Sequence, residues 1–479
     1  MTREPPRVAL VLPYWDFWGA SARGDLLAEL EQAGVDVAEA LIDVNVVTRE
    51  LIRPADDAAA VAAHVRERTP EVLLVVQTMA VAPAGTMRML DALDDLPLIV
   101  WAMNRRPSAS GSFDHSDITT EGATVGTSQL VNLIVRRRRP LVLEVGRLHD
   151  PLAIERVSSS IGVAAAARRL SRATLARVGD QPHGYDCVVC DFAVLSSALG
   201  LTVTEVEPRE LVAAFESVTP EALERVTTEV TKDFRLAAPL TLADDGLRRS
   251  LRFAAALEQL DAREGIDAGA INCHIDELRY SQVIGIAPCF ALGRETSNGI
   301  PWCCAGDVLT AVAMLTTRVL GGGALYHELE RIDYATDELI LANSGEHDLA
   351  LRRLDEPPEL RSNGWFASDP VCGVCACFSF PAGAATLVAF TPHPDEPSGF
   401  RFVIAEGEFT GRSLPQTGTP NGGFRFCSRS ASDGYRAWAL AGANHHSSAS
   451  AGHLGARVAQ LAIHLGVGAV NVSPAMASD

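Results

Sequence analysis

The chain has 479 residues, 47% of them apolar, and a net charge of −19. Domains run to about 100–200 residues, so this length predicts two to four of them rather than one core. The acidic balance excludes a binder of the phosphate backbone and suits a protein that handles neutral or cationic small molecules. No apolar run reaches the roughly 18–20 residues of a membrane span, so no membrane partner is expected. The opening "MTREPPRVALVLPYW" has neither an apolar core of signal-peptide length nor a small-residue cleavage site. A cytoplasmic location follows, with the ten cysteines mostly reduced and buried.

Taken in chain order, "RVALVLPYW", "EVLLVVQTM", "LPLIVWAMN" and "RPLVLEVG" are short apolar runs that read as strands buried on both faces. Helical stretches such as "GDLLAELEQAG" and "DDAAAVAAHVRER" lie between them. That alternation predicts an α/β domain with a parallel sheet over residues 1–160. Ligands of such sheets bind beyond the carboxyl ends of the strands. The residues placed there are Tyr14, Trp15, Asp16 and Trp18, with Gln77, Thr78 and Met79. Flat rings with a carboxylate suit a polyol, and a packed loop explains them equally well. A second alternating region, 161–350, runs from "IERVSSSIGVAAAARRLSRATLARVG" through "CVVCDF", "LGLTVTEVEP" and "GAINCHIDELR" to "PWCCAGDVLTA". Beyond 350, "GVCACFSFPAG", "ATLVAFTPH", "FRFVIAEGEFTG" and "GGFRFCSR" are short runs punctuated by Gly and Pro, which predicts antiparallel β structure over 351–479.

Four features carry possible chemistry. Cys187 with Cys190, and Cys372 with Cys375, have CxxC spacing. Their Val-rich setting predicts strands rather than the tight turn of a zinc site, so they read as buried thiols. Cys303 and Cys304 precede a helix whose dipole would lower a thiol pKa, with His274 or His327 as base. "RVLGGGAL" follows a helix, not a strand, and reads as a helix stop rather than a phosphate loop. "RRRR" at 136–139 reads as a solvated face. The fourth feature is a set of metal donors: His327 and Glu328; Asn343, Glu346 and His347; and the adjacent His445 and His446 in a Gly/Ser-rich loop. Imidazoles with carboxylates suit manganese, zinc or a related ion.

The order of these motifs resembles the L-arabinose isomerase and L-fucose isomerase superfamily. "TMAVAPAGTMRMLDAL", "GLTVTEVEPRELVAAFE", "CAGDVLTAVAML", "HELERIDYATDELILAN", "FRFVIAEGEF" and above all "WALAGANHHSSAS" carry the resemblance over nearly the whole chain. It implies two Rossmann-like parallel-sheet domains followed by a β-rich, barrel-like C-terminal domain. It also implies a homo-oligomer, trimer or hexamer, that interconverts aldoses and ketoses with a divalent metal, typically Mn²⁺. The family's first metal-binding, proton-moving Glu falls on Ala305, its second Glu on Glu328, a ligand His on Asn343 and another on His446; Asp307 is kept. Two ligands are thus replaced, which weakens or removes the metal unless Cys304, Asp307, His327 or His347 compensates. A shift to Cys and His favours Zn²⁺.

The reading that results is a divergent sugar-isomerase-fold enzyme acting on a sugar or polyol-like small molecule by proton transfer next to a carbonyl. Its catalytic residues are Glu328, Asp307 and Cys304. Its substrate contacts are Tyr14, Trp15, Trp18, Gln77, Met79 and His445, and its metal ligands Glu328, His446, Asn343 and His347. The alternatives are a biosynthetic enzyme on the same fold, working by elimination, epimerisation or thiol chemistry, and a non-catalytic sugar-binding relative.

Overall fold

A computed structural model describes residues 4–22, 24–109, 113–363, 372–414 and 418–474. The chain divides into two units, one of residues 1–169 with 460–466, the other of 170–459 with 467–479. Among the described residues no helix is long and apolar enough to cross a membrane.

In the first unit the apolar runs form a parallel sheet of β1 (Arg7–Pro13), β2 (Asn45–Ile52), β3 (Val72–Gln77), β4 (Leu98–Asn104) and β5 (Val142–Arg147), in the order β2-β1-β3-β4-β5. Successive strand residues point to opposite faces, and the two faces bury separate sets. Val8, Leu10, Leu74, Val76 and Trp101 pack on one side with Val37 and Ile161 from helices Leu26–Ala40 and Pro151–Leu170. Ala9, Val11, Leu73, Val75 and Val100 pack on the other with Val65, Leu90 and Leu130 from helices Ala58–Glu67, Ala84–Ala92 and Ala123–Arg136. Continuous apolar runs, rather than alternating ones, are what a sheet covered on both faces requires.

The second unit begins with another parallel sheet, of β6 (Thr174–Val178), β7 (Thr202–Val206), β9 (Ala268–Ile271) and β10 (Trp302–Cys303), in the order β10-β9-β6-β7. The intervening two-residue β8 (Arg235–Leu236) joins β13 (Glu359–Ser362) and β14 (Val374–Cys377) in a small separate sheet. One expectation is corrected here. "CVVC" at 187–190 is no strand: Asp186–Val188 is a single 3-10 turn, and Cys187 is exposed rather than buried. Asp191 then caps helix Phe192–Leu199 by accepting from the backbone N–H groups of Ala193 and Val194. A carboxylate able to cap a helix start outweighs two valines in a four-residue window.

The expected β-rich region is a closed barrel. β11 (Leu325–Asp333), β12 (Glu338–Ala342), β15 (Gly383–Pro392), β16 (Phe400–Phe409), β17 (Gly422–Phe426) and β18 (His446–Ala451) pair in the order β15-β18-β11-β12-β17-β16, and β16 pairs back to β15. Closure removes the exposed strand edges. The parallel strand β19 (Gly468–Asn471) is added outside β16. Helix Val308–Val319 packs against β9 and also against β15 and β18. Its residues from Val308 to Thr317 are all buried, as expected of a helix that is apolar all round. Its N-terminus therefore arrives beside the first residue of β18.

A candidate metal centre on the barrel wall

Barrel register builds the site. Glu328 of β11 pairs with His446 of β18 on one side and with Ala342 of β12 on the other. Directly paired residues project to the same face, so the carboxylate and the imidazole meet: Glu328 Oε1 lies 3.2 Å from His446 Nε2. Residue 327 projects to the opposite face. There His327 Nε2 lies 3.1 Å from the Ser447 hydroxyl, and burial lowers the imidazole pKa to about 4.

Helix Val308–Val319 supplies the next group. Asp307 is its N-cap, with Oδ1 accepting from the Thr310 N–H at 3.0 Å and Oδ2 from the Thr310 hydroxyl at 2.7 Å. The same Oδ2 lies 2.9 Å from His446 Nδ1. One imidazole is thus clasped by two carboxylates. Burial alone would lower its pKa, but Asp307 and Glu328 more than reverse this and push it up to about 9. Burial raises the Glu328 carboxyl in turn, and the hydrogen bond and charge of His446 outweigh it, leaving the pKa below its ordinary value. The His445 ring lies tilted by 44° against that of His446, with centroids 3.7 Å apart. Its Nδ1 sits 2.7 Å from the Asn444 amide oxygen, which accepts only if Nδ1 carries the proton and so leaves Nε2 with a lone pair. Burial and then the charge on His446 lower the His445 pKa, which favours the neutral ring.

Glu328, His445 and His446 offer ligand atoms that all lie within 4.8 Å of one another. The 3.2 Å between Glu328 Oε1 and His446 Nε2 matches two ligands on one ion with bonds of about 2.0–2.2 Å. Asp307 on the far nitrogen of His446 stands where an outer carboxylate would fix a ligating ring. One carboxylate and two imidazoles are donors of the kind that a divalent manganese or zinc ion takes.

The remaining expected residues fall elsewhere. Ala305 follows Cys304 in a turn and carries φ +59°, a left-handed conformation rare for a residue with a side chain; its methyl offers no donor atom. Asn343 builds a loop: its amide donates to the Tyr326 carbonyl at 2.6 Å and the Glu346 carbonyl at 2.9 Å, and its oxygen accepts from the Gly345 N–H. His347 packs its ring against Phe234 and Phe290 with centroids 5.6 Å from each, and burial lowers its pKa to about 3. Neither residue joins the triad. The Cys304 thiol lies 3.0 Å from that of Cys273. Its pKa is raised well above the ordinary value by that contact first and by burial second, and burial raises Cys303 likewise. The helix dipole expected to lower these pKa values is outweighed by desolvation and by the nearby carboxylates.

Tyr14, Trp15 and Trp18 of the first unit pack on a cluster that contains the buried Met79. The buried Gln77 donates to the Met79 carbonyl at 2.6 Å, and the Trp18 indole donates to the Ala80 carbonyl at 2.8 Å. Sequence reasoning named Glu346 only as one donor among many. The structure buries it completely, with no ion-pair partner among the described residues and only the Cys289 thiol and its own backbone N–H to favour its charged form by hydrogen bonding. Burial first, and the charge of Glu328 after it, push its pKa up to about 7. Its charge acts in turn to raise the Cys303, Cys304 and Tyr326 pKa values. The loop after β6 is marked in the sequence only by its CxxC spacing, which gives no sign of its approach to His445. Its Cys187 thiol is 3.9 Å from His445 Nδ1, and the Tyr185 ring meets His445 edge-on at 5.8 Å.

No family model matches the chain. It is 24% identical to proteins named sulfoquinovose isomerase from Priestia aryabhattai and Priestia megaterium. Each similarity runs over 325 residues, 67% of this chain and 68% of theirs.

Proposed function

We propose that this chain is a sugar isomerase of the L-arabinose/L-fucose isomerase type. It would convert an aldose to a ketose by moving a proton from the carbon next to the carbonyl (C2) to the carbonyl carbon (C1), while the hydroxyl proton on O2 passes to O1. The observation that carries this reading is the convergence of Glu328, His445 and His446 on the barrel wall. The similarity to proteins named sulfoquinovose isomerase supports it. In this reading the triad holds a divalent ion, manganese or zinc. Such an ion, when bound, supplies Lewis-acid stabilisation of charge that develops on the substrate oxygens.

The chain's own residues do the rest. Asp307 holds the Nδ1 proton of His446 and so aims Nε2 at the triad. Asn444 does the same for His445 through Nδ1. With Ala305 unable to carry a proton, Glu346 is the carboxyl left to move one. No ion-pair partner holds it charged, and its pKa near 7 balances giving a proton against taking one at neutral pH. The buried thiols of Cys303 and Cys304 stay protonated and take no part.

The test is turnover of pentoses, hexoses and deoxyhexoses in D₂O with Mn²⁺ or Zn²⁺, followed by NMR. Isomerisation with deuterium entering at the carbon next to the carbonyl is expected. Glu328→Gln and His446→Ala should each lower it by a factor of about 10²–10⁴. No turnover of any sugar by the metal-loaded protein would overturn the reading. The methyl at 305 and the amide at 343 favour one alternative, a sugar-binding relative without catalysis. That alternative predicts thermal stabilisation by a sugar with no turnover.

A further inference from the structure

A cavity of about 560 Å³ opens in the second unit at the carboxyl ends of β6, β7 and β9. Gly179 and Asp180 follow β6, Glu207 follows β7, and Asn272 follows β9. In this sheet β6 has β7 on one side and β9 on the other. The chain thus reverses its direction of travel across the sheet here, at the crevice where open parallel sheets bind ligands. The volume falls within the roughly 300–1,000 Å³ of small-molecule sites.

The crevice shares a loop with the candidate metal centre. The backbone of Gln181 packs against Gly306, where an added Cβ would lie 3.4 Å from the Gln181 N and Cα. Gly306 precedes Asp307, the residue that holds His446. Tyr185 and Cys187, farther along that loop, touch His445.

Its charge is one-sided. Asp180, Glu205, Glu207 and Glu277 line it against the single guanidinium of Arg177, so four carboxylates less one cation leave three negative charges. Arg177 is already occupied: Nη2 lies 2.9 Å from Asp180 and also bonds Glu205, and the guanidinium carbon sits 4.7 Å from the centre of the Phe192 ring. Among the described residues Glu207 and Glu277 have no ion-pair partner. The other titratable groups of the wall are His183 and His274. The buried Arg279 is drawn to the His274 ring at 3.1 Å.

We propose that this crevice binds the end of the sugar remote from the carbonyl, and that it takes a neutral polyol or an ammonium-bearing terminus and rejects an anionic one. The inference rests on the isomerase reading for the orientation of the sugar. It separates this chain from relatives named for sulfoquinovose, whose sulfonate is an anion. Like charges raise the free energy of an anion in the crevice, and salt screens the effect.

The test compares three sugars that differ only at carbon 6: D-glucose, 6-amino-6-deoxy-D-glucose and sulfoquinovose. Their affinities are measured by calorimetry with the full chain at low and high salt. The amine and the neutral sugar should each bind at least roughly tenfold more tightly than the sulfonate at low salt, with the gap shrinking at high salt. The double substitution Glu207→Gln/Glu277→Gln, at exposed positions, should narrow the gap. Sulfonate binding equal to or tighter than the neutral sugar overturns the inference, as does binding of none of the three or a gap the double variant leaves unchanged. Turnover with equal affinity for the sulfonate sinks this inference alone. The expected affinity order without turnover of any sugar sinks the isomerase reading alone.

Discussion

The β11–β18 rung and the loop after β12 treat buried charge in opposite ways. On the rung, Asp307 and Glu328 clasp His446, which keeps its proton up to about pH 9. In the loop, Glu346 is as deeply buried but has no ion-pair partner, only the Cys289 thiol and its own N–H, and its carboxyl is pushed up to about 7. Burial penalises charge in both places; a partner of opposite sign decides the outcome. The rung is a place where a cation can replace a proton. The loop is a place where a proton can come and go.

The largest expected effect comes from breaking the rung. His446→Ala leaves Asp307 buried without its imidazole and should destabilise the protein by about 3–5 kcal/mol, read by urea denaturation. Unchanged stability would mean that the clasp contributes nothing. Raising the pH attacks the same clasp without a mutation. His446 binds its proton more tightly folded than unfolded, so its contribution is complete below its ordinary pKa of 6.5 and is lost as pH rises through about 9. Chelator-treated protein should lose about 3 kcal/mol of stability over that window. A flat profile there would contradict the pairing.

The loop should respond in the other direction. The folded-state pKa of Glu346 is raised, so its penalty is absent below the ordinary value of 4.5 and grows as pH rises to about 7. Glu346→Gln should therefore stabilise the protein by about 1–3 kcal/mol at pH 8 while lowering turnover, and thermal melts at pH 4 and pH 8 separate the two regimes. A variant less stable at pH 8 would show that the hydrogen bonds to Glu346 from the Cys289 thiol and its own N–H outweigh the cost of burial. The smallest effect is expected at Ala305, whose φ of +59° a glycine adopts freely. Ala305→Gly should stabilise by about 0.5–1 kcal/mol, and a loss of stability would mean that the methyl packs usefully.

Much of this architecture was legible in the sequence because burial on two faces leaves continuous apolar runs. β1, β3 and β4 are such runs; β5, read in the same way, is an edge strand that leaves Leu143 and Val145 exposed. β2 is not such a run, since the exposed Asn45 and Arg49 and the half-buried Glu50 interrupt it, and no apolar run marks it. The Gly- and Pro-punctuated runs beyond 350 announce β structure, but the closure of β16 onto β15 is a long-range pairing that no local pattern carries. At the site, the His-His pair and Glu328 stand out by residue type, and their meeting is a matter of register. What could not be read is which donors fail to arrive. Asn343 turns its amide to the backbone, and His347 packs against Phe234 and Phe290. The place of Glu346 depends on the loop that Asn343 builds.

The central claim is that Glu328, His445 and His446 grip one divalent ion. Crystals soaked in Mn²⁺ or Zn²⁺ and recorded at the metal's absorption edge test it most directly. The account predicts an anomalous peak bonded to Glu328 Oε1 and His446 Nε2, with Asp307 still on Nδ1. Density showing the Glu328–His446 contact intact in the soaked crystal, with no peak between them, would contradict it.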